Sequence, residues 1–347
     1  MHKPTFTLAM PNYNHAPFLD RSLEGLLEQT RPADEVLILD DASTDESVQV
    51  IEEAIADKPF ARLIALDKNE GVIRGLNRLL EEATGEWIAF PAADDGLLPD
   101  FIEKMERLVE MNLNAGFVSA GVEILDAEGR GAGVRPIFYP SLSPRFFTPA
   151  ETRKLLLHSD NHFWGQVTFY RREALLEFGG FDEEFGSGTD GIALREIALS
   201  HGFGFMPVRL GVWRLHGENY SLSSAFDVPE FKRMVKQHTD YIESKPPGLY
   251  PVGYGQILAR RMKFGVARIL TSSGGSREDM ASKVAELVDA PAWERTLLSL
   301  MSRTGRLSSF SIKSWLFARL WPFSPIRFAI QPVRRAIANM SVARTKQ

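Results

Sequence analysis

The chain has 347 residues, 44% of them hydrophobic, enough to bury a sizeable core and to form more than one structural unit. Its net charge of −5 hides a division, because ten Lys and Arg and no acid lie from Arg295 onward, which leaves −15 on residues 1–294. The absence of cysteine excludes disulfides, thiolate metal sites and cysteine nucleophiles, and a body so acidic disfavours nucleic acid as a partner.

The first residues contain no long apolar run, so no signal peptide is expected. No apolar run approaches the ~20 residues that span a bilayer, and a cytoplasmic address is expected. Residues 5–10 are a compact apolar run that reads as a strand and ends in the turn-forming Pro11-Asn12-Tyr13-Asn14. Leu19, Leu23, Leu26 and Leu27 then fall at helical spacing over 18–29. Residues 35–39 predict a second strand, and Asp40 to Asp45 form a polar turn that opens a helix. A strand over 62–66, a helix over 71–83, a strand over 86–90 and a helix over 100–111 follow.

Strands alternating with helices at this spacing predict βαβ units and a Rossmann-like, mostly parallel sheet with helices on both faces. Ligands of such sheets sit beyond the carboxyl ends of the strands. The polar clusters fall at those ends: Pro11–Asn14, Asp40–Asp45, and Pro91 to Asp95. Residues 121–149, rich in Gly and Pro, predict strands and loops covering a site. Beyond them come a strand over 164–170, helices over 171–178 and 190–201, and a strand over 203–213. Helical patterns follow over 230–244, 253–271, 277–288 and 293–301. The expected organisation is a catalytic domain over 1–225, a helical subdomain over 226–305 and a basic amphipathic tail over 306–347.

The strongest chemical signal is the turn Phe90-Pro91-Ala92-Ala93-Asp94-Asp95-Gly96. Adjacent carboxylates repel unless a cation lies near them, and Mg²⁺ or Mn²⁺ commonly takes one or two carboxylates plus phosphate oxygens. The competing reading is a helix N-cap, with Asp100 continuing the acidic start. At the second strand, Asp40 and Asp41 precede the capping position of Asp45 and could accept hydrogen bonds from a base or ribose. No Gly-x-x-x-x-Gly-Lys-Ser/Thr loop and no Gly-x-Gly-x-x-Gly fingerprint is present.

In this order, Pro11–Asn14, Asp40–Asp45, Asn69-Glu70-Gly71 with Asn77, and the Asp94-Asp95 turn resemble glycosyltransferase family 2 over about residues 5–220. The resemblance implies the GT-A fold, inverting chemistry and a divalent cation, Mn²⁺ or Mg²⁺. It implies that Pro11 and Tyr13 wall the base of a nucleotide-sugar donor and that Asp41, with Asp40 beside it, holds that base, often uracil. Asn69 and Gly71 would lie beside the nucleotide, with Arg74 in reach of a phosphate. Asp94 and Asp95 resemble the end of the Asp-x-Asp metal motif, of which Ala92 has lost the first member. Gly179-Gly180-Phe181-Asp182 and Gly188-Thr189-Asp190 resemble the acceptor-side segment, which makes Asp190 the expected catalytic base, although Asp190 could instead cap the helix it opens. Thr189 stands where relatives often carry Glu, and Trp164 with Gly165 would underlie the acceptor. Trp213-Arg214-Leu215-His216 resembles the closing segment whose His contacts metal or diphosphate.

The expected reaction moves a sugar from a nucleoside-diphosphate donor to a glycan or lipid-linked hydroxyl in surface-polysaccharide synthesis. The departures at Ala92 and Thr189 leave open a non-catalytic sugar-nucleotide-binding or scaffold protein on the same fold. In the tail, Trp and Phe alternate with Lys and Arg over 309–343, broken by Pro322 and Pro325 into two expected short helices. That composition suits peripheral contact with an anionic membrane, at the inner face of the plasma membrane, or packing against protein.

Overall fold

A computed structural model describes residues 2–126, 138–160, 162–216, 227–271, 276–304 and 308–321. The first half follows the alternation. Strands β1 (Phe6–Asn12), β2 (Glu35–Asp40), β3 (Ala61–Ala65) and β4 (Trp87–Ala89) are joined by helices α1 (Ala16–Leu27), α2 (Ser47–Ile55) and α3 (Val72–Glu82). They lie parallel in the order β3-β2-β1-β4. Val36, Leu37, Ile38 and Leu39 of β2 are all fully buried. A strand without alternation is what a sheet covered on both faces requires.

The second half departs from a mostly parallel sheet. It comprises β5 (Gly96–Leu97), α4 (Phe101–Met111), β6 (Phe117–Leu125), β7 (Arg145–Phe147), α5 (Pro149–Leu156), β8 (Thr168–Arg171), α6 (Arg172–Phe178), α7 (Thr189–His201) and β9 (Phe203–Arg214). Strand β8 runs antiparallel between β4 and β6, β6 pairs β9 in parallel, and β5 and β7 add to β9 antiparallel. The described residues thus form one mixed sheet of nine strands.

Helix α5 follows the 121–149 segment in a stretch for which no element is predicted. Its start carries a reciprocal cap, in which the Thr148 hydroxyl accepts from the Glu151 amide (3.2 Å) and the Glu151 carboxylate accepts from the Thr148 amide (2.9 Å). The strand expected from 164 begins only at Thr168, because Gly165–Val167 is a 3₁₀ turn. Much of the covering loop, residues 127–137, lies outside the described residues.

Helices α8 (Val228–Ser244), α9 (Tyr254–Leu270), α10 (Arg277–Leu287), α11 (Ala292–Ser302) and α12 (Ser308–Leu320) build a second core. Helix α12 belongs to it: Ile312, Leu316 and Leu320, spaced four apart, are buried with Phe264, Leu270, Val284 and Leu298. Residues 308–320, placed in the tail by the sequence reading, pack on this second core, the alternative to membrane contact that the sequence left open. The second expected tail helix lies outside the described residues. Leu156, Leu199, Ile242, Tyr250, Tyr254 and Leu258 form a smaller cluster that ties the two cores together. Among the described residues, no helix is long and apolar enough to cross a membrane.

Candidate active site

The ends of β1 and β2 are knotted together by Asp40, which is 1% exposed. Its Oδ1 accepts the Ser43 amide (2.8 Å), and its Oδ2 accepts the Asn12 side-chain amide and the Ser43 hydroxyl, both at 2.7 Å. Asp40 thus shapes the turn from within. Neither Asn12 nor Ser43 was singled out as functional in the sequence, since a buried amide and a turn serine carry no signal until their partners are known. Between them, Ala42 is held at φ 60°, a left-handed conformation that costs an L residue roughly 1–2 kcal/mol. The capping expected of Asp45 takes a wider form: its Oδ1 accepts the Ser47 amide and its Oδ2 the Ala16 amide, both at 3.0 Å, so one carboxylate joins the starts of α2 and α1.

Asp41 does different work. Its two oxygens accept the amides of Glu70 (2.7 Å) and Gly71 (2.9 Å), which places a carboxylate at the N-terminus of α3. A carboxylate offers about four acceptor sites, so two remain for a ligand. Gly71 takes φ +91°, open to glycine at no steric cost. Around this corner Tyr13 is 44% exposed, Asn69 is exposed and Pro11 is half-buried. Arg74 projects from α3 and pairs with Glu183 (2.8 Å), both being more than half exposed. Exposed pairs of this kind contribute little, so an incoming phosphate could displace Glu183 at small cost.

At the acidic turn, the N-cap reading fails. Helix α4 starts at Phe101 with Asp100 as its cap, and β5 separates it from Asp94 and Asp95. The two carboxylates have separate roles. Asp95 is buried, and its Oδ1 accepts the backbone amide of Arg214 at the end of β9 (2.9 Å). Burial, and then the charge of Asp94, push its carboxyl well above the usual carboxylate range. Asp94 Oδ2 instead meets Nε2 of His216 at 2.8 Å, with both side chains 13% exposed. The His216 ring stacks on Phe18 of α1 at 4.7 Å, a contact the sequence did not suggest.

The expected metal set of Asp94, Asp95 and His216 is therefore not assembled as three ligands, and no group of three such side chains converges among the described residues. The Asp94–His216 pair does fit a divalent cation. Two neighbouring ligands of an octahedral ion, each roughly 2.1 Å from it, stand about 3 Å apart. A cation there would also relieve the repulsion that Asp95 feels.

The shift at Asp95 carries a stability prediction. The folded carboxyl holds its proton more tightly than the unfolded chain does, so stability falls as pH climbs above the unfolded value of 3.8. Asp95→Asn, still able to accept the Arg214 amide, should therefore raise the melting temperature at pH 7 in chelator by ~2–4 °C. The gain should vanish below about pH 4, as thermal denaturation at the two pH values will read.

Asp190 stands in the first turn of α7 but does not cap it. The cap is Gly188, with no side-chain bond. The Asp190 carboxylate lies against Gly165, where a Cβ would come within 2.6 Å of Oδ2. Burial, and then the Asp190 charge, push the Tyr170 phenol beneath it well above its ordinary range. Thr189 is buried and turned away: its hydroxyl accepts the Asp182 amide (2.9 Å), which fixes the segment before α7. Trp164 is buried with its ring 6.0 Å from that of Trp213. Asn77 of α3 exchanges two hydrogen bonds with Phe181 (2.7 and 2.8 Å), and Gly180 at φ +78° leaves room for its side chain. Contacts thus run without a break from Asp190 through Gly165, Trp164, Trp213 and Arg214 to Asp95, and Asp94 meets His216 at the edge.

These features belong to a recognised pattern. A family model for glycosyl transferase family 2 matches residues 7–179, about half of the chain, and takes in Pro11, Tyr13, Asp40, Asp41, Asn69, Gly71, Arg74, Asp94 and Asp95 but not Asp190 or His216. The chain belongs to this family. It is 31% identical over 195 residues to the succinoglycan biosynthesis protein ExoO of Rhizobium meliloti, 55% of each chain. It is 27% identical over 127 residues to the putative teichuronic acid biosynthesis glycosyltransferase TuaG of Bacillus subtilis, 37% of this chain and 50% of that one. The matches thus span about half the length of these two relatives. Among solved structures, the mannosyltransferase PcManGT of Pyrobaculum calidifontis, in complex with GDP-Man and Mn²⁺, superposes with a TM-score of 0.56 at 19% identity, covering 100% of this chain and 89% of that one. S. aureus TarS 1–349 superposes with a TM-score of 0.55 at 16% identity, covering 91% of both. The likeness to these structures shows the fold, a GT-A-like mixed sheet followed by helices.

Proposed function

We propose that this family 2 glycosyltransferase moves a sugar from a nucleoside-diphosphate donor, a UDP-sugar, to a hydroxyl of a glycan or lipid-linked acceptor, with inversion, in surface-polysaccharide synthesis. The observation that carries the reading is the pairing of Asp94 with His216 at 2.8 Å, on the same contact path as Asp190. The names of ExoO and TuaG support a polysaccharide product, and the TarS complex with UDP-GlcNAc supports a nucleotide sugar.

Asp41 and the Asn69–Gly71 loop receive the base, and Tyr13 and Pro11 flank it. Arg74 exchanges Glu183 for the diphosphate. A divalent cation, Mn²⁺ or Mg²⁺, held by Asp94 and His216 would neutralise the charge that builds on the leaving diphosphate. Asp190 takes the proton of the acceptor hydroxyl as the hydroxyl oxygen bonds to the anomeric carbon on the face opposite the diphosphate. The bond from that carbon to the diphosphate breaks, and its electron pair leaves on the phosphate oxygen. The direct test is incubation with UDP-glucose, UDP-N-acetylglucosamine and GDP-mannose in Mn²⁺. Release of the nucleoside diphosphate from one of them is expected, and release from none contradicts the reading.

Membrane contact is part of this proposal. Trp293 and Leu300 of α11 and Phe310 and Phe317 of α12 are exposed, at seven-residue spacing on each helix, and the last three lie within the basic and acid-free end of the chain. Because α12 also serves the core, the sound test is Phe310→Ser with Phe317→Ser rather than deletion. The pair should lower co-sedimentation with phosphatidylglycerol vesicles by at least about tenfold, and unchanged sedimentation would remove the membrane from the account.

A further inference from the structure

Asp190 lies in the first turn of α7, held on one side from the helical subdomain and on the other by Arg195, four residues after Gly191 in the same helix and itself bound to that subdomain. Before it, the carbonyl of Gly188 faces Nε2 of His238 in α8 at 3.4 Å, and the ring of Phe185 packs on His238 and Tyr241 (5.2 and 4.9 Å). After it, the carbonyl of Gly191 accepts from Nη1 of Arg195 (2.5 Å).

Arg195 is itself anchored across the junction. Its Nη2 reaches Asp160 Oδ2 at 3.0 Å, and its Nε donates to the Tyr254 hydroxyl at 2.7 Å. That hydroxyl donates in turn to Asp160 Oδ2 at 2.7 Å. Arg261, one of the next turns of α9, pairs with Asp160 Oδ1 at 3.1 Å and donates to the Leu156 carbonyl at 2.8 Å. Asp160 and Arg261 are almost wholly buried, only 3% and 5% exposed. Burial alone would raise the Asp160 carboxyl, but the charges of Arg261 and Arg195 and the Tyr254 hydroxyl hold it far below the usual range.

Two arginines on one buried carboxylate make a costly way to join two domains, since apolar packing of similar volume is often at least as stabilising. What the arrangement supplies is direction. The Arg195 fork fixes the Gly191 carbonyl, one residue from Asp190, against groups of α9 that cannot move independently of it. Asp160 also belongs to the segment that leads into Trp164 and Gly165, the other side of the Asp190 contact.

We propose that Asp160, Arg195 and Tyr254 are positioning residues for Asp190, which makes the helical subdomain a working part of the transfer site. The proposal rests on the reading of Asp190 as the base. Removing Asp160 strands two buried arginines and endangers folding, so the variants are Tyr254→Phe, which deletes one hydroxyl and keeps the ring stacked on Tyr250, and Arg195→Lys, which keeps the charge but not the fork. The full chain is assayed with whichever of UDP-glucose, UDP-N-acetylglucosamine and GDP-mannose releases nucleoside diphosphate, alongside amide hydrogen exchange.

Both variants should lower kcat at least about tenfold with the donor KM within about twofold, as a misplaced catalytic group does. Exchange should accelerate over residues 188–193 and not in β1 or β2. Wild-type kcat in Tyr254→Phe and Arg195→Lys overturns the proposal, and so does a fall in kcat with unchanged exchange in that turn. Asp190→Asn run beside them separates the two readings: if it transfers sugar at the wild-type rate, the base assignment itself falls.

Discussion

Asp190→Asn should lower sugar transfer by about 10²–10⁴, the usual worth of a positioned general base, while leaving nucleotide binding and the melting temperature nearly unchanged. The expectation follows from where the carboxylate stands. It lies against Gly165 at the end of a contact path to Asp94, and it is not used as the cap of α7, a role that falls to Gly188. Asn keeps the size and the polar contacts of Asp but cannot take the proton from the acceptor hydroxyl. The loss should appear in kcat rather than in the donor KM, because the acceptor side and the donor side are built from different segments. A variant that transfers at near the wild-type rate would move the base elsewhere in the site.

Asp94→Ala should have an effect of the same order, about 10²–10³ in kcat, and should also remove the response to Mn²⁺. Asp94 is the acidic member of the pair with His216, and the one of the two adjacent carboxylates that is not spent on the Arg214 amide. His216→Ala should weaken metal response less, because a carboxylate remains. Truncating Asp94 also removes the repulsion that adds to burial in raising the Asp95 carboxyl, so the variant should be no less stable than the wild-type chain in chelator. Equal activity of wild type and Asp94→Ala across a Mn²⁺ titration would detach the metal from this turn.

Much of this geometry was legible in the residues. The central strands β2 and β4 and most of β1 are apolar runs because both faces of the sheet are covered there, and such runs end abruptly in polar turns, whereas the edge strand β3 is only half-buried. That is why Pro11–Asn14, Asp40–Asp45 and Asp94–Asp95 are placed at one edge by the sequence alone. The division of labour within each pair of acids could not be read. Asp40 and Asp41 are neighbours with one side chain, yet β-strand alternation turns one inward to Asn12 and Ser43 and the other toward the start of α3. Asp94 and Asp95 divide in the same way, between His216 and the Arg214 backbone.

Long-range pairing was equally hidden. His216 reaches Asp94 across 122 positions, and local spacing says nothing about such a contact. The two-residue β5 is too short for any periodic signal. Helix α5 did carry one, the Thr148-x-x-Glu151 box with Pro149 at the first helical position, but its surroundings are rich in Ser and Pro and hid it. Helix α12 misled for another reason. Phe310 and Phe317 face outward while Ile312, Leu316 and Leu320 face the core, so apolar residues lie on more than one side of the helix and its buried stripe does not stand out.

The proposed binding of a nucleotide sugar through a cation at Asp94 is open to direct measurement. A thermal-denaturation screen of the full chain with UDP, GDP and their sugars, each with and without Mn²⁺ or Mg²⁺, tests it most directly. One nucleotide should stabilise the protein only when metal is present, by about 2.7 kcal/mol at a hundredfold excess over its Kd. That gain should be lost in Asp94→Ala and kept in Asp190→Asn. Stabilisation by none of them, or by the same amount in chelator and in Asp94→Ala, would contradict the account.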